Sequence, residues 1–170
     1  MKTSIKTHEG RLALVTGAAQ GIGQAISLAL AERGAQVIVT DLGLPRETAN
    51  KIGAAGHAFQ LDVTQEDDWR SVAAKSRELG EVDIVINNTS YFPNRSIDQL
   101  DFLTWRKTIA TNLDSHFLRA KYFLPTMRRK QWGRVSSPGE SHPEALAELY
   151  VSLSTHTAPI MEPRRAPICQ

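Results

Sequence analysis

The sequence predicts an α/β fold built on a doubly wound parallel sheet, incomplete on its C-terminal side. Three observations lead there. Short apolar runs alternate with helical patterns over residues 11–130. The runs are apolar at consecutive positions, as in strands buried on both faces, and such strands need helices on both sides. A glycine-rich segment joins the first strand to the first helix.

Each element has its own justification. Leu12-Ala13-Leu14-Val15 reads as a buried strand bounded by Gly10 and Gly17. Residues 21–33 read as a helix with Ile22, Ala25, Ile26, Ala29 and Leu30 on one side, stopped by Gly34. Val37-Ile38-Val39 is a second strand, ending at Asp41, and Pro45 opens a short helix over residues 45–54. Residues 57–61 form a third strand. The next helix starts at Thr64, where Thr64-Gln65-Glu66-Asp67 resembles a capping box with the shorter acid. Trp69, Val72, Ala73, Ser76 and Leu79 line its inner face, and Gly80 ends it. Residues 82–86 are a fourth strand. A loop rich in Asn, Ser and Pro leads to a long helix with Ile109, Leu113, Phe117, Ala120 and Leu124 at helical spacing, where Pro125 kinks the helix or lies near its last turn.

The pattern lapses from Arg134 onward. Residues 145–153 suit one short helix or strand, and Pro159, Pro163 and Pro167 mark a loosely ordered tail. The expected organisation is an N-terminal extension (1–10), a dinucleotide-binding domain (11–135) and a divergent segment (136–170).

Composition narrows the function classes. The 170 residues carry a net charge of +2, which gives no reason to expect nucleic acid as a partner. The apolar runs are all shorter than the ~20 residues that span a bilayer, so no membrane association is expected. Residues 1–10 lack an apolar signal core, and Cys169 is the lone cysteine, which suits the cytoplasm. The five histidines have no metal-ligand spacing to one another or to Cys169, so no metal site is expected.

The glycine-rich segment carries the chemistry. A phosphate needs convergent N–H donors with no side chains in its way, and a helix N-terminus adds partial positive charge. Gly17, Gly21 and Gly23 stand at a strand-to-helix junction, with an acid, Asp41, at the end of the next strand. Strand, turn, helix and acid together form a Rossmann-type dinucleotide site. Asp41 can accept hydrogen bonds from ribose hydroxyls, and a 2′-phosphate there would meet its negative charge, with Leu42 rather than a base following. NAD is therefore expected in preference to NADP.

The chain resembles the short-chain dehydrogenase/reductase family. Thr16-Gly17-Ala18-Ala19-Gln20-Gly21-Ile22-Gly23 matches that family's Thr-Gly-x-x-x-Gly-x-Gly motif. Leu61-Asp62-Val63-Thr64 matches the segment whose Asp contacts adenine, and Asn87-Asn88-Thr89-Ser90 matches Asn-Asn-Ala-Gly at its first two positions. Asn112 matches the helix Asn of the catalytic tetrad. The resemblance implies cofactor contacts at Thr16, Gly17, Gln20, Gly21, Ile22, Gly23, Asp41, Asp62, Val63, Asn87 and Asn88. It also implies reversible hydride transfer between NAD(P) and an alcohol or carbonyl substrate, and a homo-oligomer formed through the helix containing Asn112.

The family's Tyr-x-x-x-Lys is missing. Its Tyr acts as general acid/base and its Lys lowers the phenol pKa, because a free Tyr ionises poorly at pH 7. Tyr91, Tyr122 and Tyr150 are followed four residues on by Arg95, Thr126 and Ser154. Tyr150 alone follows Ser137, where the family's Ser would fall, so Ser137 and Tyr150 join Asn112 as candidate catalytic residues. The departure after Val135 is expected to reflect a frameshift, a splice product, a gene-model error or genuine divergence. The alternative is a non-catalytic dinucleotide-binding or oligomerising truncated isoform.

Overall fold

In the computed structural model, residues 6–137 can be described. They form a parallel sheet in the order β3-β2-β1-β4-β5. Its strands are β1 (Leu12–Thr16), β2 (Gln36–Asp41), β3 (Gly56–Gln60), β4 (Ile84–Ile86) and β5 (Arg134–Ser136). The helices are α1 (Gly21–Glu32), α2 (Arg46–Ile52), α3 (Glu66–Ser76), α4 (Phe102–Ile109) and α5 (Ser115–Arg129).

Alternation along each strand splits the core in two. Ala13, Val15, Val37, Val39, Ile84 and Ile86 face one side, packed with Ile26, Ala29 and Leu30 of α1 and Ala49 of α2. Leu12, Leu14, Ile38 and Val85 face the other, against Trp69 and Val72 of α3 and Leu118, Phe123 and Met127 of α5. The consecutive apolar residues of β1 and β2 therefore serve two cores at once. The doubly wound fold is the one expected. None of the helices described is long and apolar enough to cross a membrane.

Three local expectations are corrected. The capping box does not form. The Thr64 hydroxyl and amide both donate to Asp62 Oδ1, at 2.7 and 2.9 Å, while the N-cap of α3 is Gln65, with no side-chain cap bond. A local turn between Asp62 and Thr64 takes the place of the cap, and the helix starts after it.

The long helix is not one regular α-helix. A π-helical turn, Ala110–Asp114, separates α4 from α5. A wider turn shifts the residues that follow to a different face. Leu113 and Phe117, on the expected inner stripe, are 61% and 65% exposed, and Ser115, Leu118, Phe123 and Met127 are buried instead.

The third correction is β5. Its residues lack an apolar pattern, yet they pair in parallel with β4. Main-chain bonds flank the pairing, Arg134 N–H to Asp83 C=O at 2.9 Å and Asn87 N–H to Ser136 C=O at 2.9 Å. Ladder hydrogen bonds need only main chain, so a weak side-chain pattern does not prevent them. Among the described residues β5 is an edge of the sheet.

Candidate active site

The site lies at the carboxyl ends of the strands, where the order of connections reverses between β1 and β4. Ligands of open α/β sheets bind at such switch points. A cleft of about 910 Å³ opens there, bordered by the turn after β1, the ends of β2 and β4, the segment after β3, and α4 with its π-turn.

The glycine-rich turn is held from below. Gly17 and Gly21 have φ of +62° and +59°, a region that favours glycine. A Cβ added at Gly21 would meet no atom within 4 Å, so the turn leaves open space above it. A Cβ at Gly23 would lie 2.3 Å from the Gly17 carbonyl oxygen, so α1 can approach the turn only with glycine there. The Thr48 hydroxyl donates to Ala18 C=O at 2.8 Å, and Gln24 Nε2 donates to Ala19 C=O at 3.1 Å.

Asp41 bridges the turn and its own strand end. Its Oδ2 accepts from Ala19 N–H at 3.0 Å and its Oδ1 from Leu42 N–H at 2.8 Å. Each carboxylate oxygen retains a lone pair, since an ionised carboxylate has about four acceptor sites. Asp62 makes the turn with Thr64 described above, and its own N–H donates to Asp68 Oδ2 at 2.9 Å. Val63 is buried, and its carbonyl accepts from the Trp69 indole at 2.9 Å.

Thr16 joins the two halves of the site. Its buried hydroxyl accepts from Asn88 N–H and Thr89 N–H, both at 3.0 Å, and lies 3.4 Å from Asn87 Oδ1. Asn88 Nδ2 donates to the carbonyls of Thr16 and Gly17, each at 3.0 Å. Asn112 grips the next stretch of chain. Its Oδ1 accepts from Tyr91 N–H and its Nδ2 donates to Tyr91 C=O, both at 2.8 Å.

Gly17, Gln20, Gly21, Ile22, Asp41, Asp62, Val63, Asn88 and Asn112 all line the cleft. Thr16, Gly23 and Asn87 do not. Asn87 is buried and donates to Ser115 Oγ at 3.1 Å, tying β4 to α5 behind the cleft. Ser137 stands apart from the lining, 3.4 Å from both His116 Nδ1 and Arg119 Nη1. Burial, then the Arg119 charge, holds the His116 imidazole below its ordinary pKa. Tyr150 lies outside the described residues.

Sequence reasoning missed Thr48 and Gln24, which brace the turn, and Tyr91, Phe92, Lys107 and Thr111, which line the cleft. Thr111 adjoins Asn112 and was within reach of the motif. The others belong to no recognised spacing, and tertiary packing alone brings them in.

Comparison with known proteins agrees with this geometry. The profile of the short chain dehydrogenases matches residues 11–152. The chain belongs to the short-chain dehydrogenase family. This is a family of NAD(P)-dependent oxidoreductases. The chain is 39% identical over 134 residues to the 3-oxoacyl-(acyl-carrier-protein) reductase FabG of Escherichia coli (strain K12), covering 77% of this chain and 55% of that protein. It is 35% identical over 136 residues to zerumbone synthase of Zingiber zerumbet, covering 76% and 51%. It is 33% identical over 130 residues to trans-4-hydroxycyclohexanecarboxylate dehydrogenase of Sinomonas cyclohexanicum, covering 69% and 50%. The chain thus spans about half the length of these curated relatives. A metagenomic short-chain oxidoreductase solved with NADP superposes with a TM-score of 0.80 at 22% identity, covering 89% of this chain and 93% of that one. That likeness shows the fold.

Proposed function

We propose that the cleft binds a nicotinamide dinucleotide, NAD in preference to NADP, and serves hydride transfer between that cofactor and an alcohol or carbonyl substrate. The observation that carries this reading is the open glycine-rich turn with the Asp41 carboxylate fixed at its flank. The residues fit the group. Gly21 leaves room for a pyrophosphate at the start of α1, where the helix dipole favours an anion, and Gly17 lets the turn pass close to Asn88 and Thr89. Asp41, clamped by two main-chain amides, offers its remaining lone pairs to ribose hydroxyls and repels a 2′-phosphate. Asp62 and Val63 border the adenosine side, and Asn88 holds the floor of the turn. Bound there, the cofactor would supply or accept the hydride. Asn112 fixes the course of the chain at Tyr91 and so shapes the wall on the β4 side. Ser137 and Tyr150 are the candidates for binding the carbonyl oxygen and moving its proton.

A non-catalytic dinucleotide-binding or oligomerising module is the second reading. It is favoured by the missing Tyr-x-x-x-Lys and by Ser137 not being among the residues that line the cleft. We further propose that the chain self-associates through the helix containing Asn112, where Phe102, Leu103, Leu113 and Phe117 present apolar side chains to solvent. The domain is taken as residues 11–135, with residues 136–170 a divergent segment, and the protein as cytoplasmic, with Cys169 unpaired within its chain.

Titration of the purified protein with NADH and NADPH, followed by fluorescence and thermal stability, tests this reading. Tighter binding of NADH than of NADPH is expected, with Asp41→Ala narrowing the difference. At about 100 times Kd, ligand stabilises the fold by ~2.7 kcal/mol. Absence of binding by either dinucleotide would overturn the proposal. Alcohol oxidation on a substrate panel then separates the two readings, and turnover that survives Tyr150→Phe would remove Tyr150 from the catalytic role.

A further inference from the structure

Lys107 and Tyr91 form a feature of the cleft that no dinucleotide-binding motif explains. Lys107 lies on α4, one helical turn before Thr111 and Asn112, and lines the cleft with Tyr91. Its ammonium sits over the Tyr91 ring, 4.4 Å from the centroid. Asn112 locks the Tyr91 main chain with its pair of 2.8 Å bonds, so the platform beneath the cation has a fixed course. A cation over an aromatic face is attracted by the negative face of the ring, which biases a flexible lysine toward one position. Among the described residues, no carboxylate lies within 4.0 Å of the Lys107 ammonium. The charged groups of the cleft are thus arranged by side. The acid Asp41 ends β2 and Asp62 follows β3, while Lys107 comes from the helix that follows β4, across β1.

We propose that Lys107, carried on Tyr91, is an anion-recognising residue of this cleft, pairing with a phosphate or carboxylate oxygen of the bound ligand. The inference rests on the reading of the cleft as a dinucleotide and carbonyl site. The anion has two sources, a phosphate of the dinucleotide or an acidic group on the substrate. In either case the cationic platform adds an electrostatic contact that an uncharged ligand does not make, partly screened by salt.

Acetylation footprinting by mass spectrometry, with Lys75 as internal reference, tests it on the whole chain. One arm adds NADH or NADPH. The other adds acetoacetate, or its uncharged methyl ester, to protein already saturated with NADH. Protection of Lys107 in the first arm assigns the anion to the dinucleotide. Protection in the second by acetoacetate and not by the ester assigns it to the substrate. In the protecting arm, Lys107→Gln is expected to weaken binding about five- to tenfold at low salt, with Lys107→Arg restoring most of it and Tyr91→Leu intermediate. NADH binding that leaves Lys107 unprotected in both arms and unaltered by Lys107→Gln overturns this inference alone. Absence of NADH binding overturns the reading of the cleft, and this inference with it.

Discussion

Thr16 shows how one side chain can hold a site it does not line. Its hydroxyl accepts two main-chain N–H groups from the segment after β4 and so fixes Asn88 under the glycine-rich turn. Both N–H groups lie in partly buried surroundings, where an unsatisfied donor costs about 1–3 kcal/mol. Thr16→Val keeps the shape and removes the acceptor. It is expected to lower stability by about 2–4 kcal/mol in urea unfolding and to weaken NADH binding. A variant with unchanged midpoint and unchanged affinity would show that the hydroxyl is dispensable. The sequence marked Thr16 through its motif alone, and the reason for threonine appears only with its partners in place.

At the scale of elements, a buried carboxylate joins three of them. Asp83, just before β4, accepts from Leu12 N–H of β1 at 3.1 Å and from Lys130, just past α5, at 2.6 Å, with Arg11 at 3.4 Å. Asp83 is nearly inaccessible while both cations are partly exposed, so the carboxylate is the group most dependent on its partners. Arg11 also lies over the Trp132 ring, 3.6 Å from its centroid. Asp83→Ala orphans the Leu12 amide and releases both cations. A loss of about 2–3 kcal/mol is expected in denaturant unfolding, and a loss under 0.5 kcal/mol would make the cluster incidental. None of this was legible beforehand, because Arg11, Asp83 and Lys130 have no shared spacing along the chain. The π-turn before α5 was equally hidden. Apolar periodicity assumes a constant number of residues per turn, and a single wide turn moves Leu113 and Phe117 outward.

Over the whole molecule, pH and association report on how the parts close together. His8 is buried against the end of α1, with its main-chain N–H donated to Arg33 C=O at 3.0 Å. Burial, followed by the charges of Arg33 and Arg11, holds its pKa below the ordinary 6.5. The folded state therefore resists a proton that the unfolded state accepts. Stability from this group is complete above about pH 6.5 and declines as pH falls below it. His8→Gln is expected to flatten the stability profile between neutral and mildly acidic pH. An unchanged slope in thermal melts would assign the decline to other groups, His116 first among them. The exposed apolar face of α4 and α5 belongs to the same scale. Phe117→Asp is expected to shift the protein to monomer in sedimentation velocity without loss of the fold. An unaltered oligomeric state would place any self-association elsewhere.

The fold class, the succession of the first four strands along the chain and most of the motif residues that line the cleft were readable from residues alone. Their signals are local: consecutive apolar residues for β1 and β2, and glycines and Asp41 at fixed offsets. Tertiary structure decided the rest. It paired β5 through main-chain bonds that leave no side-chain signature, withdrew Thr16 and Asn87 from the cleft surface, and set Lys107 over Tyr91. These outcomes depend on contacts between residues far apart along the chain, which local spacing does not encode. The physical difference is range: strand alternation and turn chemistry act over a few residues, whereas sheet pairing and cleft lining exist only once the chain has closed on itself.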